Sequence, residues 1–339
     1  MAWASTGRAG GRGRPSAAVS ALSAANAAER PLTWRAAPDD QRSLGATLRT
    51  YLAGRFDPTA RLRHGEFVRA TLTPDGPGTL RLRWRSDPAP PGGDGLSAEA
   101  WGPGAEWLLA RVDDLTGRAD RTVLVDAAHP VVRRAMRRTR ARRIGASGTL
   151  YHELLSTIVA QRITAGEAFR QWRLLCRRLG EPAPGPAAVV GRLRLPPAPA
   201  SLARRPAWWF HPLGIEARRA TTLSEVARHA DRLWEWCEIG PAAAAGKLAL
   251  LRGVGPWTIG SVLGPALGDA DAVPVGDYHF PNTVAWALAG EPRADDARML
   301  ELLAPYAGQR GRVLAALVST AGRAPAFGPR QRVLPMAQW

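Results

Sequence analysis

Lysine is almost missing from this 339-residue chain. Lys247 is the one lysine among 46 basic residues, so arginine carries nearly all of the positive charge. Acidic residues are also scarce, 29 in all, which leaves a formal net charge of +17. Arginine in place of lysine, with abundant Ala, Gly and Pro, suggests a GC-rich genome. Codon bias does not explain an excess of cations over anions, and that excess points to a polyanionic partner, nucleic acid first. Cysteine is limited to Cys176 and Cys237, neither in a C-x-x-C, so zinc and iron–sulfur sites have no support. Each reads as filler of a helix face, Cys176 beside Phe169 and Trp172, and not as half of a disulfide. No run approaches the roughly 18 consecutive apolar residues of a membrane span. The first 28 residues hold charges but no apolar stretch of roughly 7–15 residues, so they read as a flexible basic tail and not a signal peptide. The expected setting is cytoplasmic and the expected state a monomer.

What is present divides into two patterns. Residues 31–126 are rich in strand signals and residues 127–322 in helical ones. The expected class is α+β: an amino-terminal antiparallel sheet/α domain, then an all-α domain of two lobes. A disordered basic tail (1–30) and a loose tail (323–339) flank them. In 79–85, Leu80, Leu82 and Trp84 alternate with Arg81, Arg83 and Arg85, a period of two. Residues 67–73 supply a partner strand and 74–78 the turn. The arginine face is either a DNA contact or the solvated side of a half-buried sheet. Residues 86–95 read as a Pro/Gly loop and 105–115 as helix. Farther on, Leu154, Leu155, Ile158 and Val159 form a helical stripe. Phe169, Trp172, Leu175 and Cys176 mark a second helix, and Leu223, Val226, Ala227, Ala230, Leu233 and Trp234 another. Residues 181–206, heavy in proline, read as a long connector.

The most informative stretch is 248–288. Residues 247–252 end a helix, 253–256 (GVGP) make a tight turn, and Trp257 lies at the start of a second helix. Such a hairpin leaves N–H groups of the turn and of the new helix unpaired at the positive end of its dipole. That suits one DNA phosphate and reads no sequence. A dinucleotide-binding loop would need a preceding strand and a glycine at 258, where Thr258 stands. A merely structural turn between packed helices is the alternative to the phosphate-binding hairpin. Downstream, a short extended run delivers Asp277 just ahead of a helix that begins near Phe280 and Pro281. An acid there is ordinarily an N-cap. A catalytic role requires oxygens that the helix beneath does not consume, facing a cavity.

LLRGVGPWT at 250–258 followed by VPVGDYH at 273–279 resembles the signature of the helix-hairpin-helix DNA glycosylase superfamily, in particular its 3-methyladenine DNA glycosylase II group. IVAQRIT at 158–164 is similar to that group's early helix. LGIEARRA at 213–220 resembles another of its elements, with Arg219 replacing the usual lysine. The resemblance covers roughly 40–320 and is strongest from 150 to 315.

It implies a monofunctional glycosylase that hydrolyses the N-glycosidic bond of an alkylated base flipped from duplex DNA. Asp277 would be the catalytic carboxylate, stabilising positive charge on the sugar. Trp257 and Tyr278 would line the base pocket, where aromatic faces favour a cationic base. Gln161 and Arg162 fall where the family's wedge lies. Gly253, Val254, Gly255, Thr258 and His279 would contact the DNA backbone. Lyase relatives place a Schiff-base lysine where Trp257 stands, and Lys247 lies upstream of the turn, so no imine chemistry is expected. No iron–sulfur cluster or other cofactor is expected, and no metal beyond a monovalent cation at the carbonyls of Ala249, Leu251 and Val254. Ser261 and Val318 stand where relatives can carry aromatic pocket residues, which leaves the lesion open. The rival readings are a silent DNA-binding protein and a glycosylase for hypoxanthine, uracil or an oxidised base.

Overall fold

The computed structural model describes residues 30–36, 44–84, 95–120, 129–139 and 142–320, with 322, 324 and 325. The basic tail up to residue 29, Arg85 with most of its loop, the 126/127 boundary and nearly all of the final tail lie outside the described residues.

The alternating segments form a five-stranded antiparallel sheet. Strands β1 (Leu32–Arg35), β2 (Ala60–Arg63), β3 (Glu66–Thr73), β4 (Gly76–Arg83) and β5 (Ser97–Trp101) lie in the order β1-β5-β4-β3-β2. Phe67 pairs with Leu82 and Arg69 with Leu80. Phe67, Leu80 and Leu82 therefore share one face, which packs with Leu48 of α1 (Leu44–Leu48), Leu108 of α2 (Ala105–Ala110) and Val112 of α3 (Val112–Leu115). The hairpin turn is tighter than the sequence suggests: Thr73 pairs with Gly76, leaving a two-residue loop of Pro74 and Asp75. Its glycines serve packing instead. A Cβ on Gly78 would stand 2.6 Å from Leu108 Cδ1, so glycine lets the segment after β5 lie close to β4.

The helices follow in order. They are α4 (Pro130–Arg138), α5 (Leu150–Ala160), α6 (Ala165–Leu179), α7 (Ala187–Val190), α8 (Pro199–Ala203) and α9 (Ala217–Arg228). Then come α10 (Ala230–Cys237), α11 (Pro241–Leu248), α12 (Pro256–Leu267), α13 (Phe280–Ala289), α14 (Asp296–Leu303) and α15 (Arg310–Thr320). They bury two separate cores, which makes two lobes. One holds Leu154, Trp172, Leu223, Leu248 and Val262. The other, built by α4 and α13 to α15, holds Val132, Val284, Met299 and Leu317.

The arginine face of the sheet is neither a DNA face nor simply solvated. Val68, Ala70 and Trp101 are buried on it beneath Val189, Val190, Leu193 and Leu195. The proline-rich connector is thus a structural cover. Arg81 Nε donates to Glu99 Oε2 at 2.6 Å and its guanidinium sits 5.4 Å over the Trp101 ring, while Arg83 stays exposed.

A buried polar chain joins the sheet to the first lobe. Arg69 donates to Glu153 Oε1 at 2.6 Å and to His152 Nδ1 at 3.2 Å. A guanidinium can only donate, so Nδ1 accepts and Nε2–H points at Thr59 Oγ1, 3.2 Å away. Thr59 Oγ1 donates in turn to Asp57 Oδ1 at 2.7 Å.

Candidate active site

The turn between α11 and α12 is shaped by its glycines. Val254 N–H donates to the Leu251 carbonyl at 3.0 Å, closing the turn. Gly253 has φ +88°, and a Cβ there would lie 2.0 Å from Thr222 Oγ1, so no side chain fits. Gly255 differs: its backbone is extended (φ −105°, ψ −177°) and a Cβ would meet nothing within 4 Å. The first bond of α12 runs from Ile259 N–H to the Gly255 carbonyl. The N–H groups of Gly255, Trp257 and Thr258 precede it and have no acceptor in their own helix. Val254 was expected to contact DNA as well, but its side chain is buried and its N–H is already used. Among the described residues no group of three or more His, Cys, Asp or Glu could hold a metal ion.

Gln161 ends α5 and reaches this turn. Its Nε2 donates to the Gly253 carbonyl (3.0 Å) and to Thr258 Oγ1 (2.9 Å). Gln161 therefore braces the hairpin and is not free to act as a wedge. Thr258 is buried under it. Arg162 is exposed and has φ +59°, the one positive φ outside glycine among the described residues. Arg219 buttresses this corner from within. Its NH1 donates to the Val159 carbonyl at the end of α5 (2.6 Å) and to Gln171 Oε1 (2.8 Å).

Asp277 follows Gly276, whose φ of +92° turns the chain. Its Oδ1 accepts from His279 N–H (2.8 Å) and Phe280 N–H (3.1 Å), and Oδ2 accepts from the Trp257 indole Nε1 (3.0 Å). The expectation that the acid's oxygens stand clear of the helix is therefore not met for Oδ1, which caps α13. The cause is local: an acid three residues ahead of Phe280 reaches the free N–H groups of the first turn. Oδ2 lies outside that cap and is held by the hairpin helix instead. Asp277 is half-buried, and among the described residues no arginine pairs with it.

A cavity of about 770 Å³ opens between the two lobes. Ser261 of α12 forms one wall; Met136, Phe280, Leu314 and Val318 form the other. The cavity abuts the elements that hold Asp277. Phe280 N–H bonds Oδ1, and Ser261 Oγ donates to the Trp257 carbonyl at 2.7 Å. Ser261 and Val318 thus belong to the cavity, as the sequence anticipated. Trp257, Tyr278 and Asp277 are not among its walls, so the expectation that the acid itself faces a cavity is not met; only its neighbour Phe280 does. Trp257 spends its indole on Asp277. Tyr278 is 81% exposed, with its ring against His279 at 4.9 Å, because the cap beneath it turns both residues outward. The sequence pointed to neither Phe280 nor Arg142 as a wall. The arginine-rich run 133–143 hides Arg142 among similar residues, and only the docking of the lobes singles it out.

The architecture matches solved DNA glycosylases. A 3-methyladenine DNA glycosylase from Archaeoglobus fulgidus aligns with a TM-score of 0.64 at 16% identity, over 85% of this chain and 97% of that one. The Clostridium acetobutylicum 8-oxoguanine glycosylase/lyase aligns with a TM-score of 0.56 at 13% identity, over 80% and 92%. The same enzyme with double-stranded DNA containing cytosine opposite 8-oxoguanine gives 0.55 at 14% identity, over 79% and 89%. No protein-family model and no curated protein matches the chain. No helix among the described residues is long and apolar enough to cross a membrane.

Proposed function

We propose that this chain, which has the fold of the helix-hairpin-helix DNA glycosylases, hydrolyses the N-glycosidic bond of a damaged base flipped out of duplex DNA. The observation that carries the reading is the setting of Asp277. Three N–H donors fix a carboxylate that has no cationic partner among the described residues; its neighbour Phe280 lines the cavity of about 770 Å³, and the indole that holds Oδ2 comes from the turn with unpaired N–H groups. The turn binds one phosphate through Gly255, Trp257 and Thr258, and open space over Gly255 admits the strand. Arg162, exposed in a left-handed conformation, fills the vacated stack. His279 is exposed beside the acid and donates to a neighbouring phosphate.

Flipping costs a few kcal/mol of unstacking, which the cavity and the phosphate contacts offset. As the C1′–N bond breaks, its electron pair leaves with the base and positive charge grows on the sugar. The free lone pair of Asp277 Oδ2 stabilises that charge and steers water onto C1′. A carboxylate alone is sufficient for an alkylated base, which is already a good and often cationic leaving group, as the family likeness suggests. Among the described residues the cavity has no aromatic stack that would favour such a base, Phe280 being the single aromatic wall. Hydrolysis proceeds without strand cleavage: Lys247, the only lysine, lies on α11 ahead of the turn, and Trp257 replaces the lysine of lyases.

The cap on Oδ1 favours a second reading, in which Asp277 merely starts α13 and the hairpin is a grip on DNA. Duplexes carrying one lesion each, incubated with the full chain, separate the two. The enzyme reading expects free base and a strand that breaks only on alkali treatment. Binding with no base released from any lesion would leave the grip alone. Strand scission without alkali would overturn the monofunctional assignment.

A further inference from the structure

The interlobe cavity has an electrostatic character that an alkylated base does not suit. Three arginines, Arg142, Arg143 and Arg312, and two aspartates, Asp120 and Asp269, are among its walls. Arg312 is neutralised within the protein: its NH2 donates to both oxygens of Asp120 at 2.9 and 2.8 Å. Asp269 Oδ1 accepts the N–H of Asp271. Arg142 differs from these. Its one side-chain hydrogen bond among the described residues runs from NH1 to Ser319 Oγ at 3.1 Å, and Ser319 is itself a cavity wall. Among the described residues no carboxylate pairs with it. A guanidinium has five N–H donors in a fixed fork, so several of Arg142's remain for a ligand.

From this geometry we infer the substrate class: an uncharged base bearing an exocyclic carbonyl oxygen, accepted by the Arg142 guanidinium, in preference to a cationic N-alkylated purine without one. The inference rests on the glycosylase reading and specifies its substrate. Burial holds the Arg142 guanidinium below its usual range, with no carboxylate to offset it, so an incoming acceptor oxygen is favoured there and a second cation is not. Aromatic faces would favour a cationic base, and among the described residues Phe280 supplies the only one.

The chemistry is consistent with this choice. An N-alkylated cationic purine departs as a neutral molecule and needs no help. A neutral base departs with the electron pair of the broken C1′–N bond, and the negative charge spreads onto its carbonyl oxygen. A fixed guanidinium at that oxygen lowers the barrier. Water supplies hydroxide to C1′ and a proton to the departing base, the proton passing by way of Asp277. Atoms and charge then balance without a co-reactant.

Two adenine-derived lesions make the sharpest test. Hypoxanthine carries a carbonyl and no charge, whereas 3-methyladenine carries a charge and no carbonyl. Base release from duplexes holding each lesion is followed at single turnover for the full chain and for Arg142→Ala and Arg142→Lys, with thermal midpoints and abasic-duplex affinity measured alongside. We expect release of hypoxanthine, or of uracil or 8-oxoguanine in parallel duplexes. Arg142→Ala should slow it by about 100-fold with affinity unchanged, and Arg142→Lys should recover part of the rate. Release of 3-methyladenine alone, or equal slowing on both lesions, would overturn the inference while leaving the glycosylase reading standing. Release of no base from any duplex would overturn both.

Discussion

At the scale of single residues, the two glycines of the turn make opposite demands. Gly253 is needed by the fold, because its φ of +88° and its closeness to Thr222 exclude any Cβ. Gly253→Ala should cost about 2 kcal/mol from the left-handed backbone alone, before the clash is counted, read as a lowered urea midpoint. Gly255 is not needed by the fold, since its extended backbone and open surroundings accept alanine. Gly255→Ala should leave stability within about 0.5 kcal/mol of wild type and still weaken binding to abasic duplex, because the methyl group occupies the path of the strand. Unchanged binding would mean that the phosphate does not approach there. Both glycines and the place of Asp277 just ahead of α13 were legible in the sequence, since turn chemistry and the distance from turn to acid are local, but the sequence left open whether the acid's oxygens cap that helix, as Oδ1 does. Tyr278 and Gln161 were placed wrongly, because the direction of their side chains depends on the cap at α13 and on the reach from α5 to the hairpin, neither of which a linear motif encodes.

Among the elements, the corner formed by α5, α6 and α9 decides how the hairpin is presented. Arg219 is buried, and its NH1 bonds the Val159 carbonyl near the end of α5 and the side chain of Gln171. Arg219→Ala removes both of these and the NH2 bond to the Gly214 carbonyl (3.3 Å). The Gly214 carbonyl keeps a donor in Gln171 Nε2, but the Val159 carbonyl and Gln171 Oε1 lose Arg219. The expected loss is about 2–4 kcal/mol in chemical denaturation, with DNA affinity reduced because Gln161 and Arg162 lose their support. Stability within error of wild type would show that water replaces the guanidinium. Amphipathic periodicity gave the positions of α5 and α6 well, but it ran α9 and α10 together as one helix, which the chain breaks at His229. It missed the role of the 181–206 stretch, because proline-rich sequence lacks a period, and the cover it lays over Val68 and Trp101 is a contact distant in sequence.

For the whole molecule, the sheet and the first lobe are locked by the chain from Arg69 through His152 and Thr59 to Asp57. Burial, with Arg69 adding to it, holds the His152 imidazole well below its ordinary range, so the folded protein keeps it neutral. Once pH falls through the histidine's unfolded value near about 6.5, the unfolded chain gains a proton that the folded one refuses. Stability should therefore be complete above that pH and fall below it by at most about 1.4 kcal/mol per unit, and His152→Gln should flatten the profile between neutral and mildly acid pH. An identical slope in the variant would assign the titration elsewhere. The two-part α+β plan was readable from the change of hydrophobic period along the chain. The cavity was not, since its walls come from both lobes and from Thr50 ahead of the sheet's long strands. The central claim concerns one carboxylate: Asp277, though it caps α13, is the group that makes the glycosidic bond break. Single-turnover base release by wild type and Asp277→Asn, on the lesion that wild type processes, tests it most directly. Asparagine keeps a carbonyl acceptor for the cap but loses the charge. The account predicts a rate lower by at least about 100-fold with affinity for abasic duplex retained and a small loss of thermal stability, since the asparagine NH2 faces the Trp257 indole N–H; equal rates in the two proteins would contradict it.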